Sequence, residues 1–288
     1  VSPLRTVALA YASALVAALA AGVAAPASHP LAVALVADLA GTLAIFAWSF
    51  AYRNSSFYDP YWSLAPLPIA LYWTAAGEGA VGARQAAVLL LVAAWGARLT
   101  WNWARGWQGL GHEDWRYLDL RRKTGGAYWP VSFFGLHLIP TLWVFGGLLP
   151  VYAAVGVPGR PLGPFDALAF LATAAAIALE AAADEQLRRY RLSRPPAGEF
   201  LRAGLWAWSR HPNYLGEMGF WWGLWLFGVA AAPALWWTLA GPVAITLMFR
   251  HVSLPMIETR MRERRPSFSE WAERSSLVLL RPPRRARG

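Results

Sequence analysis

Apolar stretches of about 20 residues recur along this chain, separated by short segments rich in arginine, proline and aromatic side chains. A stretch of that length crosses a hydrocarbon core as a helix, because lipid offers no partners for exposed backbone groups. Eight candidates are present: Leu4–Ala25, Leu31–Tyr52, Tyr61–Ala76, Arg84–Trp103, Ser132–Val155, Phe165–Ala183, Tyr214–Ala231 and Leu235–Arg250. The third and seventh are short, so they are expected to be tilted, interfacial or parts of longer helices. Only 15% of the residues are charged and 57% are hydrophobic, where a soluble domain carries roughly a quarter charged residues. The expected fold is all-α, a polytopic transmembrane helix bundle of about seven to eight spans. The 288 residues fill one such bundle and leave too few for a separate soluble domain. Cysteine is absent, which excludes disulfides and thiolate metal sites, and no metal centre is expected.

The first span has Arg5 ahead of an alanine-rich run and Ala-Pro-Ala-Ser after it, in the manner of a signal peptide. Its apolar run exceeds the 7–15 residues of a signal core, so residues 1–30 are read as an extra N-terminal transmembrane helix. Residues 31–288 then form the main membrane domain, with a cytoplasmic amphipathic tail from Met256 to Trp271 that is expected to lie under the bundle. Eight spans put Arg53, the 105–123 and 185–210 loops and the arginine-rich tail on one side, while the other side receives little beyond Arg84 and Arg160. The positive-inside rule then places both termini in the cytoplasm, for an integral protein of the bacterial inner membrane. The same rule accounts for the net charge of +10. Nucleic acid is set aside as a partner, because a membrane bundle offers no groove reader. The partners expected are a lipophilic small molecule and membrane lipid, with no obligate protein partner.

Charged groups within spans cost roughly 2.5–3.5 kcal/mol each on insertion scales, which makes them candidates for function. Four clusters stand out. In Tyr58-Asp59-Pro60-Tyr61-Trp62 the aspartate is either a helix cap before proline or a functional acid. From Arg98 and Arg105 to Tyr117, glycines, arginines and aromatic residues alternate, as suits phosphates and flat rings or an interfacial anchor. Glu180 and Asp184 share a helix face with Arg188 and Arg191, either as an internal ion pair or as ligands for hydroxyl-rich or cationic company. The densest cluster is Gly204 to Glu217, where Arg210, His211, Asn213, Tyr214 and Glu217 gather at a helix start that would attract an anion.

In this order the clusters resemble the steroid 5α-reductase superfamily, in particular its bacterial, DUF1295-like membrane branch, from about Tyr58 to Pro283. The resemblance implies a reductase-like membrane domain in which the Asn213-Tyr214-x-Gly216-Glu217 segment holds NADPH. It implies cofactor contacts from Glu180, Asp184, Arg188 and Arg191, from Arg250 and Glu258 near the last helix, and from Arg98 and Arg105. Asp59 matches a family glutamate that polarises the substrate carbonyl. Tyr58 stands where the family has glutamine, and Trp95 or a neighbour where it has tyrosine, so steroid specificity does not carry over.

The activity this implies is NADPH-dependent reduction of a lipophilic double bond conjugated to a carbonyl, with Asp59 or Tyr61 supplying the proton. No glycine-rich dinucleotide motif is present. The segment Arg210-His211-Pro212-x-Tyr214-x-Gly216-Glu217 is also similar to membrane isoprenylcysteine and phospholipid methyltransferases, which use S-adenosylmethionine and carry a late glutamate where Glu258 would fit. A non-enzymatic lipid-binding scaffold is the third class. The topology has a direct check: reporter fusions at the N- and C-termini should both give the cytoplasmic signal, and a signal from the far side at an intact N-terminus would overturn the eight-span reading.

Overall fold

Proline and polar caps start the helices close to where the apolar stretches begin. The computed structural model describes residues 2–26, 28–78 and 80–282; the tail arginines Arg284, Arg285 and Arg287 and the Ala27 of the signal-like segment lie outside them. Helix α1 (Pro3–Ala24) starts on Ser2, whose hydroxyl accepts from the Arg5 amide, and α2 (Pro30–Ala51) starts on His29, whose ring accepts from Leu31. A 3-10 turn, Ser55–Tyr58, leads into α3 (Tyr61–Leu64) and α4 (Pro66–Ala76); Ala65 between them keeps helical dihedrals. This joined path rises about 24 Å, short of a hydrocarbon core of about 30 Å, as the brief third stretch foretold.

There follow α5 (Gly82–Gly106), α6 (Trp115–Thr124), α7 (Tyr128–Ser132) and α8 (Ile139–Val155), the last two continuous through a π-helical turn, Phe133–Leu138. Then come α9 (Pro164–Leu192), α10 (Pro212–Ala231), α11 (Ala240–Met248) and α12 (Leu254–Arg264), with a second π-turn at Phe249–Ser253, and finally α13 (Phe268–Arg274). No strand occurs among the described residues. Five helical runs are long and apolar enough to cross a membrane: Pro3–Ala24, Pro30–Ala51, Trp115–Val155, Pro164–Leu192 and Pro233–Arg264. Helices α5 and α10 match them in length, with 25 and 20 residues. Arg84, Gln85 and Arg98 in the one, and the indoles of Trp221, Trp222 and Trp225 in the other, lower their hydropathy. The protein is an integral membrane bundle.

Two boundaries differ from the sequence reading. The sixth span does not stop at Ala183; α9 continues to Leu192 and carries its charged face out of the membrane in one rigid rod. The last span does not stop at Arg250. Pro255 falls at the start of α12, where a missing amide costs nothing, so the helix runs on to Arg264, and only α13 is a separate tail helix. The N-terminal helix α1 is held by side-chain bonds as well as by packing. It packs along α2, the Tyr11 hydroxyl donates to the Phe57 carbonyl at 2.8 Å, and Trp48 donates to Ser13 at 2.8 Å.

The main core gathers Trp73, Trp95, Leu148, Phe220, Trp221 and Phe227, with Trp95 stacked on Phe220 at 4.5 Å. The tightest packing joins α9 to α10. A side chain on Gly216 would strike Glu180 and the Ala176 carbonyl, and one on Gly223 would strike Thr173. On the face away from the arginine-rich loops, Arg84 is buried against Asp166 through two bonds of 2.6 and 3.0 Å and also donates to the Arg160 carbonyl at 2.9 Å. Arg84 therefore staples the starts of α5 and α9. Replacing one member of such a pair strands a buried charge at a cost of about 3–5 kcal/mol. Arg84→Met should accordingly lower the unfolding temperature in detergent sharply. Arg160→Ala should leave it nearly unchanged, since only the Arg160 backbone is used.

Candidate functional site

At the arginine-rich face the ends of α5, α9 and α10 converge on one guanidinium. Arg98 lies 2.5 Å from Glu180 and 2.9 Å from Asp184. Asp184 also accepts from Asn102 at 3.2 Å and from Asn213 at 3.1 Å. One turn further along α10, Glu217 accepts from the Trp95 and Trp221 indoles at 2.9 and 2.8 Å. Asn213 and Glu217, four residues apart on one face of α10, are turned onto α9 and α5. Arg98 Nε, Glu180 Oε2 and Asn213 Oδ1 are buried without a hydrogen-bond partner. Buried polar atoms are nearly always paired, which makes this cluster a candidate for meeting a ligand, with Glu180 also lying against the Glu217 carboxylate. Outside this knot Arg105 pairs with Glu185 at 3.0 Å, and Glu185 also takes Arg189 at 2.9 Å and Arg188 at 3.7 Å.

The start of α10 holds a second knot. Glu258 accepts from Arg210 Nε at 2.7 Å and lies 3.0 Å from His211 Nε2. Arg210 Nη1 donates to the Ala272 and Ser275 carbonyls at 2.7 and 2.6 Å, and its backbone amide donates to Ser276. This arginine clamps the C-terminal segment onto the bundle, so the anion site expected beside it is filled largely by the chain itself. Tyr214 packs edge-on against His211 and Phe249. Arg191 and Arg250 are exposed and make no ion pair among the described residues. They are among the cations at this face that a ligand could meet.

The two proton-donor candidates part company. Asp59 does not cap α3, whose first turn has no side-chain cap. Instead it accepts from the Tyr117 hydroxyl at 2.5 Å. Burial pushes the Asp59 carboxyl up to about 6, while the Tyr117 hydrogen bond and nearby Arg116 pull the other way. Tyr61 points elsewhere and donates to the Asp38 carboxyl and carbonyl on α2, at 3.0 Å each. Asp38, Thr42, Ser49, His137 and Thr141, all buried, were not among the sequence candidates. The signal was there in part: Asp38, Thr42 and Ser49 recur at helical spacing within an apolar span.

The loop from Trp107 to Asp114 is tied to the turn after α2. Asn54 donates to the Leu110 and His112 carbonyls, and Glu113 takes the Ser55 amide at 2.7 Å and Arg121 at 3.1 Å. Beside it an open hollow of about 480 Å³ is lined by Tyr52, Arg53, His112, Trp115 and Arg260 among others. None of the expected cofactor residues lines this hollow.

No solved structure matches the chain. A curated protein of Schizosaccharomyces pombe, named Uncharacterized protein C594.04c, is 28% identical over 222 residues, or 69% of this chain. The chain spans 64% of that relative's length. Residues 45–275 match the family described as Protein of unknown function (DUF1295), a stretch that takes in both knots and Asp59; the chain belongs to that family.

Proposed function

We propose that the protein is a membrane-embedded, NADPH-dependent reductase of a lipophilic double bond conjugated to a carbonyl, related to the steroid 5α-reductase superfamily. The observation that carries this reading is the Arg98–Glu180–Asp184–Asn213 knot with its three orphaned polar atoms. Its chemistry fits the ribose and carboxamide part of a nicotinamide nucleotide. Glu180 Oε2 and Asn213 Oδ1 accept from hydroxyl or amide hydrogens, and Arg98 Nε donates to a carbonyl. The phosphates would fall first to Arg191 and Arg250, since Arg98, Arg105, Arg188 and Arg210 already face carboxylates.

When bound, NADPH supplies the hydride. The chain's own part is to hold the nucleotide at the ends of α5, α9 and α10, to keep water out, and to give a proton or hydrogen bond to the substrate near Asp59 and Tyr61. A lipophilic substrate reaches such a site from the bilayer, and the arginine-rich face is taken as cytoplasmic. One observation favours the methyltransferase reading instead. Arg210, His211 and Glu258 meet within 2.7–3.0 Å, as the Arg-His-Pro segment and late glutamate of those enzymes would require.

The two readings separate on purified protein. NADPH should raise the unfolding temperature and S-adenosylmethionine should not. A ligand that binds only the native state at a hundredfold excess over its Kd stabilises by about 2.7 kcal/mol. Asn213→Ala should weaken NADPH binding about tenfold or more, equal to about 1.4 kcal/mol, while the protein still folds. A shift with S-adenosylmethionine alone sinks the reductase reading, and a shift with neither nucleotide favours the scaffold class.

Asp59 supplies a pH test. Its folded-state pKa is raised from 3.8 to about 6, so the native state holds this proton more tightly than the unfolded chain does. Stability should therefore fall as pH rises from about 4 to about 6 and then level off, and Asp59→Asn should remove that slope. Thermal unfolding across this range, wild type against variant, reads it directly.

A further inference from the structure

Helix α2 is polar on its buried face and apolar on its exposed one. Its buried residues are Ala34, Asp38, Gly41, Thr42, Ile45 and Ser49, while Val36, Leu43 and Phe50 are exposed. Every hydroxyl on the buried face has a partner. Thr42 meets Thr141 at 2.8 Å, Thr141 meets the Tyr58 hydroxyl at 2.8 Å, and Ser49 meets His137 at 3.1 Å. Asp38 is the exception in kind, being the one acid in an otherwise uncharged helix. It is 5% exposed, and no cation pairs with it among the described residues. Its side-chain partner is the Tyr61 phenol at 3.0 Å. Gly41 makes that contact possible, since any side chain there would collide with the Tyr61 oxygen.

An aspartate inside a span is functional by default when its partner can be named. A carboxylate with no cation and one donated hydroxyl is poorly compensated at this depth, whereas the neutral acid has no charge to compensate. The titratable groups near it are Tyr61 on α3 and Tyr58 from the preceding turn, neither a fixed charge, and behind them Tyr11 on α1 and His137 in the π-turn before α8 pack against that pair. Asp59 is turned away towards Tyr117.

We infer that Asp38 is held as the neutral acid within the membrane and is the positioning residue that sets Tyr61 as proton donor in the enone reduction proposed above. This rests on that reading for its chemistry. Reduction forms a C–H bond at the carbon that receives hydride, and the double-bond electron pair moves onto the carbonyl oxygen as an enolate. A second C–H bond must then form at the α-carbon with a proton. Tyr61 gives that proton as its O–H bond breaks, and the Asp38 acid returns one to the phenolate, leaving a carboxylate. The next proton comes from water, and the Thr42–Thr141–Tyr58 hydroxyl row beside the pair is its nearest polar path. NADPH is the reductant, and one proton is consumed in each cycle.

The test separates the acid from the activity. Infrared spectra of the protein without nucleotide, reconstituted in lipid, should contain a protonated-carboxyl stretch that shifts in D2O. It should vanish in Asp38→Asn, persist in Asp59→Asn, and move in Tyr61→Phe, which keeps the acid and removes its donor. Should Asp38→Asn fail to fold, the Tyr61→Phe shift carries the test alone. A band unaffected by both variants overturns the inference, whatever becomes of the reductase reading. With an enone substrate that turns over, Asp38→Asn should lower kcat about a hundredfold or more with KM little changed, and Asp38→Glu should recover part of it. Wild-type kcat for Asp38→Asn overturns the proton role even if the band is present.

Discussion

Two parallel helices, α5 and α9, are pinned to each other at both membrane faces by arginine–carboxylate contacts, and the rest of the bundle is arranged around that pair. Arg84 meets Asp166 at one face and Arg98 meets Glu180 at the other, and on both helices the two members stand 14 residues apart. Equal spacing on helices that run the same way keeps both contacts in register over about 21 Å of rise. The two pins differ in how completely they are satisfied. Arg84 spends its donors on Asp166 and on loop carbonyls. Arg98 faces two carboxylates and still leaves a donor orphaned. A lone arginine among Glu180, Asp184 and Glu217 is more charge than stability requires, because buried ion pairs rarely repay their own desolvation. The far pin reads as structure, and the near one as a site.

The glycine-lined approach of α10 to α9 turns the near pin into a constellation. With Gly216 and Gly223 seated on Glu180 and Thr173, the first turn of α10 is carried close enough for Asn213 to reach Asp184. Glu217 falls one turn deeper, where two indoles close it off. Glu217 thereby gains a structural duty that its place in the sequence did not reveal. It is the acceptor for two tryptophans at the centre of the core, and removing its carboxylate would leave buried indole N–H groups unpaired, at about 1–3 kcal/mol for each group.

What was legible in the sequence followed from one-dimensional patterns. The starts of most spans and the common face of Asn213 and Glu217 depend on local spacing, and the structure keeps them. Three kinds of feature escaped. The helices run past the membrane to Leu192 and Arg264, just ahead of Pro195 and Pro266, because a charged amphipathic turn is as good a helix as an apolar one and the apolar pattern stops before the helix does. Partners distant in the chain, such as Arg84 with Asp166 and Arg210 with the Ser275 carbonyl, leave no local trace. Hydropathy averaging also hid Asp38, since one acid among apolar residues barely moves the mean of a 22-residue helix, although in lipid it is the costliest group there.

The turn between α2 and α3 sorts two acids by environment. Asp59 lies on the loop side, against Tyr117 and within reach of the Arg116 charge, where ionisation is merely discouraged. Asp38 lies among hydroxyls and rings with no charge to answer it. Tyr58 and Tyr61 rise from the same turn, their rings 5.5 Å apart, and each binds a different helix, Tyr58 to α8 and Tyr61 to α2. Pairs of titratable groups whose surroundings drive them apart are the usual basis for dividing acid and base roles. On that logic the group nearest water suits polarising or orienting a carbonyl, because it exchanges protons with solvent. The group sealed in the bundle suits keeping one proton available where water does not reach. The 14-residue pins matter to this as well, because they fix the α5 and α9 frame against which the α2–α3 turn, and hence the separation of the two acids, is held.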